Sequence, residues 1–141
     1  MTRSAMVLVL VVAMAGAAGA SELGEQNACA GGENRGELSI RVRYFTSFIA
    51  SGRLSGTELA ENLRQRADAY RKLGEYAPAI ADYERVIGLT PDLPSDYYHR
   101  GLVFEEMGRR DRAEDDYRKA TVLDPADERF VKRLRQLEER R

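Results

Sequence analysis

The chain has no tryptophan and only one cysteine, Cys29, so no intramolecular disulfide can form. It has one histidine, His99, and one Cys with one His cannot assemble a Cys/His metal cluster. Charge of neither sign dominates. Lys+Arg number 22 against 23 Asp+Glu, a net charge of −1. That balance lacks the basic excess by which nucleic-acid-coating proteins hold phosphates. A catalytic constellation is also missing. No Ser or Cys is placed by sequence as a nucleophile beside His99, and no tuned acid–base set accompanies it. The sequence therefore predicts no catalytic residue, no cofactor and no metal ligand. Gly31-Gly32 lacks the following Lys-Ser/Thr and the preceding strand of a phosphate loop. Long apolar runs are absent as well. The one candidate, residues 6–14 (MVLVLVVAM), falls short of the roughly 20 residues that span a bilayer.

That short run has the setting of a secretory signal. Arg3 supplies a positive start, and Ala18-Gly19-Ala20 supplies a small-x-small site, so cleavage is expected after Ala20. The competing reading is an uncleaved membrane-tethering helix. Lipid attachment at Cys29 is disfavoured because Gln26-Asn27-Ala28 precedes it where a short apolar tripeptide is needed. The mature chain is expected to be residues 21–141, exported and without a stable membrane anchor. Residues 21–36 are polar and Gly-rich, a flexible lead-in. Within it Cys29 is an unpaired thiol, or one half of an intermolecular bridge in an oxidising compartment.

Residues 37–59 read as an N-terminal helix and turn. Leu38, Ile40, Val42 and Tyr44 alternate as in a strand, but Leu38, Val42, Phe45 and Ile49 form a longer one-faced helical stripe. Gly52 and Gly56 bracket the turn. From Ala60 the chain repeats itself. Residues 60–93 written above 94–127 align without a gap. Arg66 meets Arg100, Gly74 meets Gly108, Ala79 meets Ala113, Asp82 meets Asp116, Tyr83 meets Tyr117, and Pro91 meets Pro125. The period is that of helix–turn–helix repeats. Leu63, Ala67 and Tyr70 stripe a first helix, which Gly74 ends. Ala79, Tyr83, Val86 and Ile87 stripe a second, with Pro78 in its first turn. Residues 128–141 start a third unit and stop, with an apolar stripe at Val131, Leu134 and Leu137. Arg135 stands where Ala67 and Gly101 stand earlier, which suits a solvent-facing capping helix.

This pattern resembles the tetratricopeptide repeat family. Small, aromatic and proline positions recur in phase in both copies, while Arg66 and Arg100 replace the family's usual leucine. The resemblance implies an all-α, short α-solenoid of stacked antiparallel helix pairs with a C-terminal capping helix. The stretch SGRLSGTELA before the repeats is similar to an exported bacterial subgroup, which implies a periplasmic or secreted setting. In that subgroup a second cysteine near Phe45 would be expected, and it is absent here. The implied function is a protein–protein interaction adaptor that takes a protein or peptide on the concave face of the stack. The alternative is a structural or self-associating subunit of an envelope assembly, since fewer than three full repeats leave a solenoid marginal. A homo-oligomer is one way to complete such a stack.

Spacing on the first helices nominates the partner-contacting set: Arg64, Asp68 and Arg71, then Tyr98, Leu102 and Glu105, with Lys132 and Gln136 on the cap. Tyr98 and Leu102 are the expected anchor, because Tyr98 falls off the core stripe that holds the other repeat aromatics. The resemblance includes a Lys–Asn clamp for C-terminal carboxylates in some relatives, but Arg64 and Asp68 occupy its places. His99 is expected as a partly exposed helix residue beside Tyr98. The basic run Arg129, Lys132, Arg133, Arg135, Arg140 and Arg141 is interspersed with Glu128, Glu138 and Glu139 and reads as a solvated face, or else as a dock for an acidic partner or a lipid headgroup. Finally, Arg66 and Arg100 sit at positions normally apolar, each with an Asp 16 residues on. A partly buried guanidinium needs a carboxylate, so Arg66–Asp82 and Arg100–Asp116 pairs are expected.

Overall fold

The computed structural model describes residues 33–140. The expected signal segment, most of the lead-in and Cys29 lie outside the described residues. Six helices follow in order: α1 (Arg35–Ala50), α2 (Gly56–Leu73), α3 (Tyr76–Leu89), α4 (Pro94–Glu106), α5 (Arg110–Leu123) and α6 (Glu128–Glu138). Each packs chiefly on its neighbours in sequence, as in a solenoid. The ambiguous segment after residue 37 is helical and starts two residues earlier, at Arg35. Gly52 lies in the turn with φ 66°, but Gly56 opens α2 instead of bracketing the turn. The reason is a capping box at Ser55. The Ser55 hydroxyl accepts from the Glu58 amide, and the Glu58 carboxylate accepts from the Ser55 amide.

The repeat punctuation works as its chemistry predicts. Gly74 ends α2 with φ 79°, and Gly108 follows α4 with φ 74°, a left-handed conformation that a Cβ makes costly. Ala67, Ala79 and Tyr83 are buried together with Val103 of the following helix. Phe104, Ala113 and Tyr117 are buried with Leu137 of α6. At Gly101 the close approach is extreme. A Cβ there would lie 2.6 Å from Cε1 of Tyr117.

Both arginine–aspartate pairs are present. Arg66 donates to the two carboxylate oxygens of Asp82 at 2.7 Å each, and Arg100 donates to Asp116 at 2.9 and 2.7 Å. Asp82 and Asp116 are buried. Hydrogen bonding to these carboxylates outweighs burial and raises the affinity of Arg66 and Arg100 for their protons. Arg66 also lies over the ring of Tyr70, and Arg100 lies over Tyr97 and Phe104. The guanidiniums thus sit on the aromatics that fill the next stripe position.

The cap departs from the expected stripe in one place. Phe130, which is 1% exposed, is the buried anchor at its start, while Val131 is half-buried. Arg135 is exposed, as a capping helix requires. Arg110, at the start of α5, donates to the carbonyls of Leu137 and Arg140 and so closes the end of α6. A cation there complements the negative end of the helix dipole.

Candidate partner-binding surface

The first helices α2, α4 and α6 set the nominated residues, and the structure divides that set into separate groups. Between α2 and α4 lies a pocket of about 280 Å³. It is lined by Glu61, Arg64, Gln65 and Asp68 of α2, Tyr83 of α3, and Ser95 and His99 of α4. Arg64 is its floor. Nε donates to Oδ1 of Asp96 at 2.7 Å, and Nη2 donates to Oδ2 at 3.0 Å and to the Thr90 hydroxyl at 2.9 Å. Thr90 in turn donates to Asp96. Asp96 is fully buried, and its hydrogen bond to Arg64 holds that guanidinium firmly protonated.

Asp96 was hidden in the sequence. An acidic residue two places after Pro94 reads as ordinary charge in a helix's first turn, a favourable place on any helix. Its partner, 32 residues away on another unit, has no local signature.

Asp68 and Arg71 pair at 3.0 Å, Lys72 joins Asp68 at 3.0 Å, and Arg71 reaches Glu106 of α4 at 2.6 Å. Burial would push the Asp68 carboxyl up, but the bonds from Lys72 and Arg71 outweigh it and hold the group below its usual value. Two ion-pair links, Arg64–Asp96 and Arg71–Glu106, therefore tie α2 to α4 along this face.

The expectation that Tyr98 stands clear of the core is corrected. Its ring packs at 5.6 Å from Tyr117 and 5.2 Å from Phe130, and it is half-buried. A first-helix residue facing the next unit is covered once that unit is present, and α6 supplies the cover. Leu102 likewise packs on Phe104, Ala113, Tyr117 and Leu137. Glu105 accepts from the Tyr117 hydroxyl at 2.7 Å and from Arg133 at 2.9 Å, joining α4, α5 and α6. Lys132 and Gln136 lie apart from the α2–α4 pocket, on a cleft of about 660 Å³ with Pro125, Ala126, Glu128, Val131 and Arg135.

His99 is placed more distinctly than its sequence suggested. Nδ1 lies 2.7 Å from the Ser95 carbonyl, which can only accept, so Nδ1 carries a proton and the Nε2 edge faces away from this bond. The imidazole stacks on the buried Tyr83 ring at 6.2 Å and 8°. Burial pushes the Tyr83 phenol far above its ordinary value, so it stays neutral. The pocket is thus walled by a fixed imidazole and by a Gln65 amide that donates to the Glu61 carboxylate at 2.8 Å and accepts from Arg41 at 3.1 Å.

Comparison with known proteins agrees with this architecture. A family model described as TPR repeat matches residues 67–108, and one described as Tetratricopeptide repeat matches residues 97–127. The Small glutamine-rich tetratricopeptide repeat-containing protein 2 of Mycosarcoma maydis is 32% identical over 66 residues. That match covers 47% of this chain, but only 19% of that relative. Among solved structures, the crystal structure of MamA protein is similar over 74% of this chain and 55% of its own, with TM-score 0.65 and 26% identity. The second TPR domain of human RPAP3, in complex with HSP70 peptide SGPTIEEVD, shares the fold at TM-score 0.63 and 23% identity, over 84% of this chain and 93% of that one. Tetratricopeptide repeats are therefore present in this chain over residues 67–127, and the described residues form an all-α stack built on them.

Proposed function

We propose that this chain is an exported adaptor that binds a segment of another polypeptide along its first-helix face, without catalysis. The observation that carries the reading is the pocket between α2 and α4. The Arg64–Asp96–Thr90 network fixes its floor, and Glu61, Gln65 and His99 present polar groups around it. A preorganised wall with convergent donors and acceptors suits an extended peptide, because little ordering cost falls on the receptor. Lys132 and Gln136 extend the surface at the cap. Tyr98, Leu102 and Glu105 act behind it as packing that holds the face in shape. A peptide-bound tetratricopeptide domain among the structural neighbours supports the same class of partner.

A C-terminal carboxylate is not the favoured ligand. The cation best placed for it, Arg64, already gives its fork to buried Asp96. Export rests on residues 1–20, and a mature chain beginning at Ser21 follows from it. Among the described residues no helix is long and apolar enough to cross a membrane. Intact mass of the protein recovered from the envelope fraction tests the export step, and retention of residues 1–20 would refute it. The binding face is tested by calorimetry with a partner in hand. Gln65→Ala with His99→Ala should weaken binding at least about tenfold, with the helical circular dichroism spectrum retained. Glu84→Ala with Arg118→Ala on the second helices should leave binding intact. The opposite pattern moves the site to the other face.

A further inference from the structure

α1 carries two apolar faces, and only one is covered. Leu38 is 4% exposed and packs with Ala69 and Leu73 of α2, joined by Val42, while Ile49 packs toward Ala60 and Leu63. On the opposite side Ile40, Tyr44 and Phe48 stand one turn apart at 57%, 56% and 42% exposure. The Tyr44 ring touches Phe48 at 4.7 Å and Phe45 at 5.3 Å, so the stripe is already an ordered aromatic cluster. A cleft of about 590 Å³ runs beside it, lined by Gly36, Ser39, Ile40, Arg43, Leu73 and Glu75.

The repeat plan says what kind of element would fit this face. α1 precedes α2 as α3 precedes α4 and α5 precedes α6. α3 and α5 each lie between two first helices, whereas α1 packs principally on α2 among the described helices. The uncovered face is therefore where a second helix of this stack would meet its own first helix. In this chain the first helices α2 and α4 follow one rule. They present large, small and large residues at i, i+4 and i+7: Leu63-Ala67-Tyr70 and Tyr97-Gly101-Phe104. The small residue makes room for a second-helix aromatic, as Gly101 does for Tyr117.

Charge selects among occupants. α1 holds three arginines, Arg35, Arg41 and Arg43, against one glutamate, Glu37. Arg41 and Arg43 flank the stripe near its centre on opposite sides, and Arg41 bonds to Gln65 at 3.1 Å. Two copies of α1 laid antiparallel along this stripe would bring their Arg43 side chains to the same edge. Like charges at that range oppose the pairing. A helix with acidic flanks would instead meet complementary charge at the exposed Arg43 edge of the stripe.

We propose that the exposed Ile40–Tyr44–Phe48 face of α1 receives, in trans, an acidic amphipathic helix with a large–small–large stripe, seated where the repeat plan would set a preceding first helix. This is helix-in-groove recognition, at a site distinct from the α2–α4 pocket. The chain would then engage one polypeptide through its first-helix face and a second through its N-terminal helix.

The test uses the full chain and a stapled helical peptide of about sixteen residues, ~24 Å long. The peptide carries Leu, Ala and Tyr at i, i+4 and i+7, with glutamates on both flanks. Fluorescence anisotropy should show saturable binding that Tyr44→Ala weakens at least about tenfold, as loss of a buried aromatic anchor does. Arg43→Glu should weaken it too, and a peptide with Leu in place of the central Ala should bind less well. Circular dichroism of Ile40→Ser, an exposed change, checks that the fold persists. No binding of the acidic peptide, or equal binding of a lysine-flanked one, overturns the proposal. A dimer in light scattering that Tyr44→Ala dissolves would assign the face to a second copy instead. Tyr44-dependent binding to anionic vesicles without peptide binding would assign it to lipid.

Discussion

Arg100 shows how a charged residue becomes part of a core. Its side chain is 20% exposed, that of Asp116 is 7% exposed, and the guanidinium lies across Tyr97 and Phe104. Removing one partner strands the other, which costs far more than the pair contributes. Arg100→Leu should therefore destabilise the fold by about 3 kcal/mol. Changing Asp116 to Leu as well should recover much of that. Urea unfolding of the two single variants and the double gives the coupling energy, and additive losses would refute the pairing. Asp68 gives a pH signature. Its folded value lies below the ordinary carboxyl value of about 3.9. The unfolded chain then binds the proton more readily, so this stabilisation is complete above about pH 4 and is lost as pH falls through the lower folded value. The stability gap between wild type and Asp68→Asn should be widest at neutral pH and should shrink toward pH 3. A gap that does not change with pH contradicts the ion-pair assignment.

Elements form here because short-range signals and burial agree. The glycines separate the two effects. Gly101 is packed against Tyr117, while a Cβ on Gly88 in α3 would meet nothing within 4 Å. Gly88→Ala should thus stabilise by up to about 1 kcal/mol through helix propensity. Gly101→Ala should destabilise by about 1–3 kcal/mol from overpacking, against the same propensity gain. Thermal melts of the two variants moving in opposite directions would support the packing, and parallel shifts would contradict it. The same elements show what a sequence can reveal. Periodic small and aromatic residues, the glycines at φ 79° and 74°, and the Arg–Asp pairs recur at a fixed interval, so comparing one copy with the other exposes them. Contacts between non-equivalent residues give no such signal. Thr90 and Asp96 locking Arg64, and Arg133 reaching Glu105, arise only once the units stack. Helical spacing likewise put Tyr98 on an open face, because it takes no account of the capping helix that covers it. The capping box at Ser55 carried a legible Ser-x-x-Glu pattern.

At the scale of the whole molecule, the ion pairs between first helices both build the face and remove charge from it. Arg64, Asp68, Arg71 and Glu105 are tied into ion pairs between helices, and Glu61 and Gln65 bond to each other at the pocket rim, so recognition falls to their remaining hydrogen-bonding capacity, to Ser95 and His99 in the pocket, and to Lys132 and Gln136 on the cap. A face of that composition reads hydrogen-bonding pattern more than net charge, so salt should affect its affinity only modestly. The most direct test is residue-resolved NMR of the isotope-labelled chain titrated with its polypeptide partner. Shift changes should concentrate at Gln65, Ser95 and His99 and extend to Lys132 and Gln136, with Glu84 and Arg118 unmoved. Perturbations confined to Glu84, Arg118 and their neighbours on α3 and α5, with the α2–α4 pocket silent, would contradict the account.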